Sequence, residues 1–324
     1  MRATRWLGLL GLYVGAQSLA LALALPFRSA GFSGGASGGE SLIGPVLLIA
    51  AVVVVPVVLL ALSRRAGIVP ALRWLMLLAI GGALYLTLVE TFLLLLPQGF
   101  LVPPYPAGTV LFPGVTVGAS LAVALFLALL LEPQWYVVDA AGFVSAAAVI
   151  AILGGSFAIL PVFVLLIALA VYDYVAVYRT RHMLRLADLA VEMKLPILLV
   201  MPEEAGFDYP ASGSLSEMRT VPPDERQALF MGLGDVVIPG VLVASAFVWL
   251  PATASLGGLP GSLWVAVGAM LGSLAGYALL MSRVLRGNAQ AGLPFLNTGA
   301  IVGYLIAYLA VFHGAGLFGL SGAL

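Results

Sequence analysis

The chain has 324 residues but only 28 charged side chains, 14 basic and 14 acidic, whereas 62% of its residues are hydrophobic. Soluble domains carry about 25% charged and about 45–50% apolar residues, so this composition excludes a soluble enzyme, a disordered chain and a disulfide-rich secreted domain. The net charge of zero offers no basic surface for nucleic acid. The absence of cysteine excludes thiol catalysis and cysteine-ligated metals, and His182 and His313 are too far apart for an HExxH zinc site.

Apolar runs of the length needed to cross a bilayer, about 20 residues, occur nine times along the chain. We therefore predict an all-α polytopic membrane protein with nine transmembrane helices, an integral multi-pass protein of the cell membrane. The predicted spans are 6–25, 42–62, 72–96, 110–131, 136–153, 157–178, 229–250, 262–281 and 294–313.

The basic residues predict the orientation of these spans. With the N-terminus in the cytoplasm and nine crossings, 13 of the 14 basic residues lie on the cytoplasmic side and only Arg28 lies outside. This asymmetry is the one expected from the positive-inside rule. The C-terminus is then extracytoplasmic. The cytoplasmic set is Arg2, Arg5, Arg64, Arg65, Arg73, Arg179, Arg181, Arg185, Lys194, Arg219, Arg226, Arg283 and Arg286.

One long polar loop divides the predicted membrane domain. Residues 1–178 hold spans one to six, residues 179–228 form a cytoplasmic loop, and residues 229–324 hold spans seven to nine. The loop begins with an amphipathic helical segment up to Lys194, continues with a β-prone run at 195–202, and ends in an acidic stretch.

Four acidic residues fall within the predicted spans, and an ionisable group in the hydrocarbon region is a functional hypothesis by default. Asp139 is close enough to the cytoplasmic end of its span to reach headgroup water. Glu90 lies deeper, on the outer side of the third span, where a packing hydrogen bond or a protonated acid is a simpler interpretation than a catalytic group. The other two acids are Asp173 and Asp235.

Asp173 and Asp235 are predicted to lie at the same depth. Asp173 is about five residues, or roughly 8 Å, from the cytoplasmic end of the sixth span. Asp235 is about six residues, or roughly 9 Å, from the cytoplasmic start of the seventh span. Packing of these two consecutive helices can therefore bring the carboxyl groups together. Gly232 and Gly234, on either side of Leu233, remove side chains from the approach to Asp235.

A carboxyl pair of this kind has a defined chemistry. Two like charges in contact cannot both ionise, so the pair holds one proton; one acid then activates water while the other polarises a carbonyl, as in aspartic proteases. The alternative is a buried, hydrogen-bonded acid pair that has only a structural role. The predicted ninth helix starts at the same level, where Pro294 suits a first helical turn and Asn297 supplies a donor and an acceptor.

These residues resemble the motifs of a known family. Tyr172-Asp173, Gly232-Leu233-Gly234-Asp235 and Pro294-Phe295-Leu296 are similar to the YD, GxGD and PAL motifs of presenilins and signal peptide peptidases. The chain most resembles the archaeal members, through the AVYD context at 170–173 and a GLPxLNxGA segment at 292–300. The resemblance extends over nine spans and the long loop between spans six and seven.

The resemblance implies an intramembrane aspartyl protease that hydrolyses peptide bonds within transmembrane helices of membrane proteins or signal peptides. It implies that Asp173 and Asp235 are catalytic and that Pro294, Phe295 and Leu296 shape the active site, with no metal or organic cofactor. Phe295 departs from the alanine of the family motif, which bears on the substrate fit near the scissile bond.

Other interpretations remain open at this point. The same acid pair would suit a proton- or cation-coupled transporter or channel. Gly268, Gly272 and Gly276 on the eighth span would suit a scaffold, although such a face more often joins neighbouring spans. The Gly35–Gly39 segment fits GxSxG but lies in a Gly/Ser-rich loop without the strand–turn–helix context of a nucleophile.

The expected partners are transmembrane-helix substrates and the lipid bilayer, with no nucleic acid and with a second copy of the chain as a further candidate. The run 197–201 could pair as a strand with an unwound substrate; the alternative is a docked loop.

Overall fold

A computed structural model describes residues 2–31, 41–63, 69–96, 113–180, 195–202, 207, 228–252, 255–284 and 290–313. These residues form nine α-helices, one π-helical turn and four short strands. The helices are α1 Arg2–Ser29, α2 Ile43–Ser63, α3 Val69–Leu95, α4 Pro113–Leu131, α5 Trp135–Ser156, α6 Ile159–Val175, α7 Leu233–Trp249, α8 Gly261–Val284 and α9 Leu293–Phe312. The π-helical turn Ala176–Thr180 continues α6, and the strands are β1 Leu198–Pro202, β2 Ala228–Gly232, β3 Ser255–Leu256 and β4 Leu259–Pro260.

The helices form an integral, multi-pass membrane protein. Seven helices in the described part of the chain are long and apolar enough to cross a bilayer. The other two apolar stretches, Ile43–Val55 within α2 and Leu233–Trp249, are shorter. Large apolar side chains such as Leu75 and Leu78 are 66% and 64% exposed on the outside of the bundle. Contiguous apolar surface of this kind requires a lipid environment.

Helix α7 lies at the centre of the bundle. Its residues 236–246 are all buried, and it contacts α1, α5, α6, α8 and α9. Burial on every side explains why this segment is apolar all round rather than amphipathic. The helix that carries Asp235 in its first turn is therefore held in position by five neighbours.

Close backbone contact joins α8 and α9. A side chain at Gly268, Gly272 or Gly276 would collide with the backbone or a methyl group of α9, and one at Gly299 or Gly303 would collide with α8. Small residues allow helices in a membrane to approach this closely. The expectation that the α8 glycines join neighbouring spans is confirmed.

The prediction of an all-α chain with a seventh helix from residue 229 is wrong in one respect. Residues 228–232 form β2, which pairs antiparallel with β1, and helix α7 begins only at Leu233. The strand expected in the run 195–202 occurs as β1. The partner strand was missed because Ala-Leu-Phe-Met-Gly continues an apolar run, so only the tertiary pairing distinguishes it from a first helical turn.

The connection between α5 and α6 is short, and a strand hairpin precedes α8. The break at 154–156 lies within the end of α5, and Phe157 and Ala158 alone separate α5 from α6. The β3–β4 hairpin leads into α8 through Gly257 and Gly258, whose φ angles of 62° and 81° are those a two-residue hairpin turn requires.

Several predictions lie outside the described residues. They concern the amphipathic segment 181–194, the acidic stretch 203–227 apart from Phe207, the GxSxG sequence at 35–39, and eight of the cytoplasmic basic residues. Those basic residues are Arg64, Arg65, Arg181, Arg185, Lys194, Arg219, Arg226 and Arg286.

Candidate active site

Asp173 lies two residues before the end of α6 and is only 4% exposed. Its Oδ2 accepts a hydrogen bond of 3.0 Å from the backbone N–H of Leu293, the first residue of α9. The first N–H groups of a helix have no partner within that helix, so they suit an acidic group. The carboxyl group of Asp173 is thus oriented by the start of α9.

Asp235 is the third residue of α7 and is half-buried. Its carboxyl group lies against the backbone of Gly292, where a Cβ atom would come within 2.8 Å of Oδ1 and 2.9 Å of Oδ2. Gly232 is close as well, since a Cβ there would lie 3.5 Å from Oδ2. The absence of a side chain at Gly292 is what allows the carboxyl group this approach.

The two predicted acids therefore converge on one short backbone segment. Asp173 bonds the N–H of Leu293, and Asp235 packs on the adjacent Gly292. Acids from two consecutive helices held at the start of a third can share a proton and act together on a bound water. No three Asp, Glu or His side chains come together as metal ligands within the described ranges.

The proline segment forms the first turn of α9. Pro294 is the second residue of the helix, where its missing N–H leaves no bond unmade. Leu296 is fully buried in the core. Asn297 donates from Nδ2 to the carbonyl of Leu166 at 2.8 Å, about two turns before Asp173, so its donor joins α9 to α6.

Phe295, which stands where the family motif has alanine, contacts Arg283 of α8. Its ring packs under the guanidinium of Arg283, with Cζ 4.9 Å from the ring centre. Arg283 lies in the last turn of α8. The bulky side chain is thereby accommodated at the α8–α9 contact.

The remaining predicted residues differ in their surroundings. Tyr172 is half-buried next to Asp173. Leu233 packs against α5, where its Cδ1 would lie 3.5 Å from a Cβ at Gly142. Gly234 is exposed, and a Cβ there would meet nothing within 4 Å. Open space beside Gly234 leaves one side of the GxGD turn accessible.

The sequence interpretation of Asp139 is wrong. Instead of reaching headgroup water, Asp139 is 4% exposed, and its Oδ1 accepts a buried 2.7 Å hydrogen bond from the N–H of Val200 in β1. Its position four residues after the start of α5 suggested the membrane surface, whereas β1 covers that end of the helix. Only the tertiary structure could identify this contact.

One further contact was not foreseen from the sequence. Tyr178, in the turn after α6, donates from its hydroxyl to Oε1 of Gln290 at 2.8 Å, which ties the end of α6 to the segment preceding α9. Glu90 lies far from the acid pair and lines a cavity of about 470 Å³ with Leu25, Pro26 and Ser29 at the other end of α1. The structure therefore does not bring Glu90 into the site.

Comparison with known proteins agrees with this geometry. The model of the family described as signal-peptide peptidase, presenilin aspartyl protease, matches residues 10–313. A structure of a presenilin family intramembrane aspartate protease in space group C222 is 30% identical and covers 94% of this chain and 99% of its own, with a TM-score of 0.62.

A second structure of a presenilin family intramembrane aspartate protease, in space group P2, is also 30% identical, with coverage of 93% and 96% and a TM-score of 0.58. A search of curated proteins found no match. The chain belongs to the signal-peptide peptidase and presenilin family of aspartyl proteases, and it is an intramembrane-cleaving aspartic endopeptidase.

Proposed function

We propose that Asp173 and Asp235 are the catalytic pair, and that they hydrolyse peptide bonds within transmembrane helices of membrane proteins or signal peptides. The observation that carries the proposal is the convergence of both carboxyl groups on Gly292 and Leu293. No other pair of acids within the described residues meets in this way at the junction of three helices.

The proposed reaction needs one ionised and one protonated acid. The ionised acid takes a proton from water as the water oxygen adds to the scissile carbonyl carbon, while the protonated acid donates to the carbonyl oxygen. Collapse of the tetrahedral intermediate breaks the C–N bond, and the leaving nitrogen takes up a proton from the pair. The Leu293 N–H holds Asp173 in place throughout.

A substrate helix must unwind before this attack, because its carbonyls are occupied by intrahelical hydrogen bonds. The suggestion that the run 197–201 receives the unwound segment needs correction, since β1 is occupied on both edges. One edge pairs with β2, and on the other Val200 donates to Asp139. The outer edge of β2, the strand that directly precedes α7, is the edge we propose for the substrate.

The proposed topology has nine crossings, with the N-terminus in the cytoplasm and the C-terminus outside. In support, the end of α6 and the starts of α1, α5, α7 and α9 lie at one end of the bundle, around the strand pair. On this topology both acids lie near the cytoplasmic ends of their helices, Asp173 two residues before the end of α6 and Asp235 in the first turn of α7. The protein acts on transmembrane helices within the bilayer and needs no nucleic acid partner; a homo-oligomer remains a prediction.

The central experiment replaces each acid by its neutral isostere in purified protein. Asp173→Asn and Asp235→Asn should each lower cleavage of a transmembrane reporter by at least about 10²–10⁴-fold, the usual contribution of a positioned acid or base. Cleavage is measured by gel shift and mass spectrometry in lipid, and folding by thermal unfolding.

The matched control is Glu90→Gln, which removes a membrane acid away from the site. This variant should cleave at the rate of the unaltered protein. Cleavage that persists in either aspartate variant contradicts the proposal. Acid-dependent ion flux through reconstituted protein, without cleavage, would instead support the transporter alternative.

A further inference from the structure

Asp139 is a buried acid outside the proposed catalytic pair. It lies in the second turn of α5, and its Oδ1 bonds the N–H of Val200 at 2.7 Å. Its Oδ2 is buried without a hydrogen-bond partner among the described residues. Burial of a carboxyl group costs free energy, and the hydrogen bond to β1 is the interaction that offsets this cost.

The register of the two strands explains why Val200 is available. The N–H of Leu233 bonds the carbonyl of Ile197, so residues 197 and 233 form a hydrogen-bonded pair. Along antiparallel strands, hydrogen-bonded pairs alternate with pairs whose backbone groups do not bond each other, and 200 and 230 form a pair of the second kind. Val200 and its partner Phe230 therefore direct their backbone groups away from each other, toward opposite outer edges.

Asp139 thus blocks the outer edge of β1 and leaves that of β2. Pro202, the next outward residue of β1, has no N–H to offer. On β2, the N–H and carbonyl of Phe230 face outward, and neither takes part in a further backbone hydrogen bond within the described residues. One strand edge of the pair is closed and the other is open.

The surface of α5 that carries Asp139 also contacts the start of α7. A Cβ at Gly142, one turn after Asp139, would lie 3.2 Å from Cδ2 of Leu199 in β1 and 3.5 Å from Cδ1 of Leu233. Leu233 is the first residue of α7, two before Asp235. The α5 surface therefore fixes both the strand pair and the helix that bears one acid.

We propose that Asp139 is a positioning residue, which anchors β1 to α5 so that the open edge of β2 holds the substrate in a single register before Asp235. This inference rests on the proposed function. Asp139 touches neither the substrate nor the acid pair. Its effect passes through β1, and its loss should change which peptide bond is cleaved as well as how fast.

The test compares two substitutions at this position. Asp139→Asn keeps an oxygen that can accept from Val200, and it should cleave within about threefold of the unaltered rate, at the same bond. Asp139→Leu has a similar size but no acceptor, so it leaves the Val200 N–H unsatisfied. It should lower kcat/KM by about 10–100-fold and spread cleavage over several neighbouring bonds.

The matched control for loss of a buried hydrogen bond on α5 is Thr87→Val. Thr87, in α3, places its Oγ1 2.8 Å from the carbonyl oxygen of Ala83 in the same helix and 3.3 Å from that of Val144 in α5. This variant should leave the cleavage position unchanged, measured by mass spectrometry of the products. If Asp139→Leu also cleaves at one bond only, the inference is overturned.

Hydrogen exchange separates failure of this inference from failure of the proposed function. Amides of 198–201 and 228–232 should lose protection in Asp139→Leu but not in Asp139→Asn, whether or not Asp173 and Asp235 are catalytic. Unchanged protection contradicts the anchoring role. If Asp139→Leu does not accumulate in the membrane, Gly142→Val replaces it, because a side chain at 142 perturbs the same surface of α5. Cleavage at a single bond by Gly142→Val would equally contradict the inference.

Discussion

Replacement of Gly292 by alanine places a methyl group against the Asp235 carboxyl group. The Cβ would lie 2.8 Å from Oδ1 and 2.9 Å from both Cγ and Oδ2, whereas ordinary contacts begin at 3.4 Å. The carboxyl group must therefore move by about 0.6 Å, the difference between 3.4 and 2.8 Å. The three atoms nearest to this Cβ all belong to Asp235, so the methyl group acts first on that carboxyl group.

The size of the effect follows from that displacement. A misplacement of about 1 Å at a reacting group can cost about 10²-fold in rate, so about 0.6 Å should lower kcat by about 10–30-fold. The backbone itself accepts alanine, because Gly292 has φ −79° and ψ −48°, in the right-handed helical region. Alanine at such a position commonly adds about 0.4–1 kcal/mol of stability. The variant should be less active and no less stable.

The assay measures kcat and KM on a transmembrane reporter in lipid, together with the thermal unfolding midpoint. Gly82→Ala in α3 is the matched control, since a Cβ there meets nothing within 4 Å. It should gain similar stability without any change in kcat. An unaltered kcat in Gly292→Ala, in a protein that Asp235→Asn inactivates, would refute the reasoning that this contact positions the acid.

Two further substitutions test neighbouring parts of the site. Phe230→Pro removes an outward N–H of β2 and leaves the hydrogen bonds with β1 in place, so cleavage should fall at least about tenfold with an unchanged unfolding midpoint. Phe230→Val keeps that N–H and should retain most of the activity. Equal cleavage rates in the two variants would contradict substrate pairing along β2. Phe295→Ala loses the ring contact with Arg283, a cation–π interaction of about 0.5–1 kcal/mol, so it should lower the unfolding midpoint slightly while kcat stays within about threefold. Complete loss of cleavage would show that the ring itself contacts substrate.

The helices and the candidate acids could be predicted from the sequence for a physical reason. A segment in lipid must satisfy its own backbone, so an apolar run of sufficient length implies a helix. Asp173 and Asp235 stood out because acids in such runs are costly and rare. Within the described residues, seven of the nine predicted spans correspond to helices long enough to cross a membrane.

The strand pair shows where this reasoning stopped. Residues 228–232 are apolar and adjoin a helix, so local pattern favours continuing the helix. Their pairing with β1 joins segments about 30 positions apart, and no local signal in the sequence indicates that contact. Asp139 was misinterpreted for the same reason, because its partner Val200 is 61 residues away.

Composition and pattern by themselves determined the solvent, the helical class and the two acids on which the proposed chemistry depends. The tertiary structure alone decided what those acids contact, namely the backbone of Gly292 and Leu293. It also decided which strand edge is open. Periodicity and burial are local properties of a chain, whereas the meeting of α6, α7 and α9 depends on how distant surfaces pack.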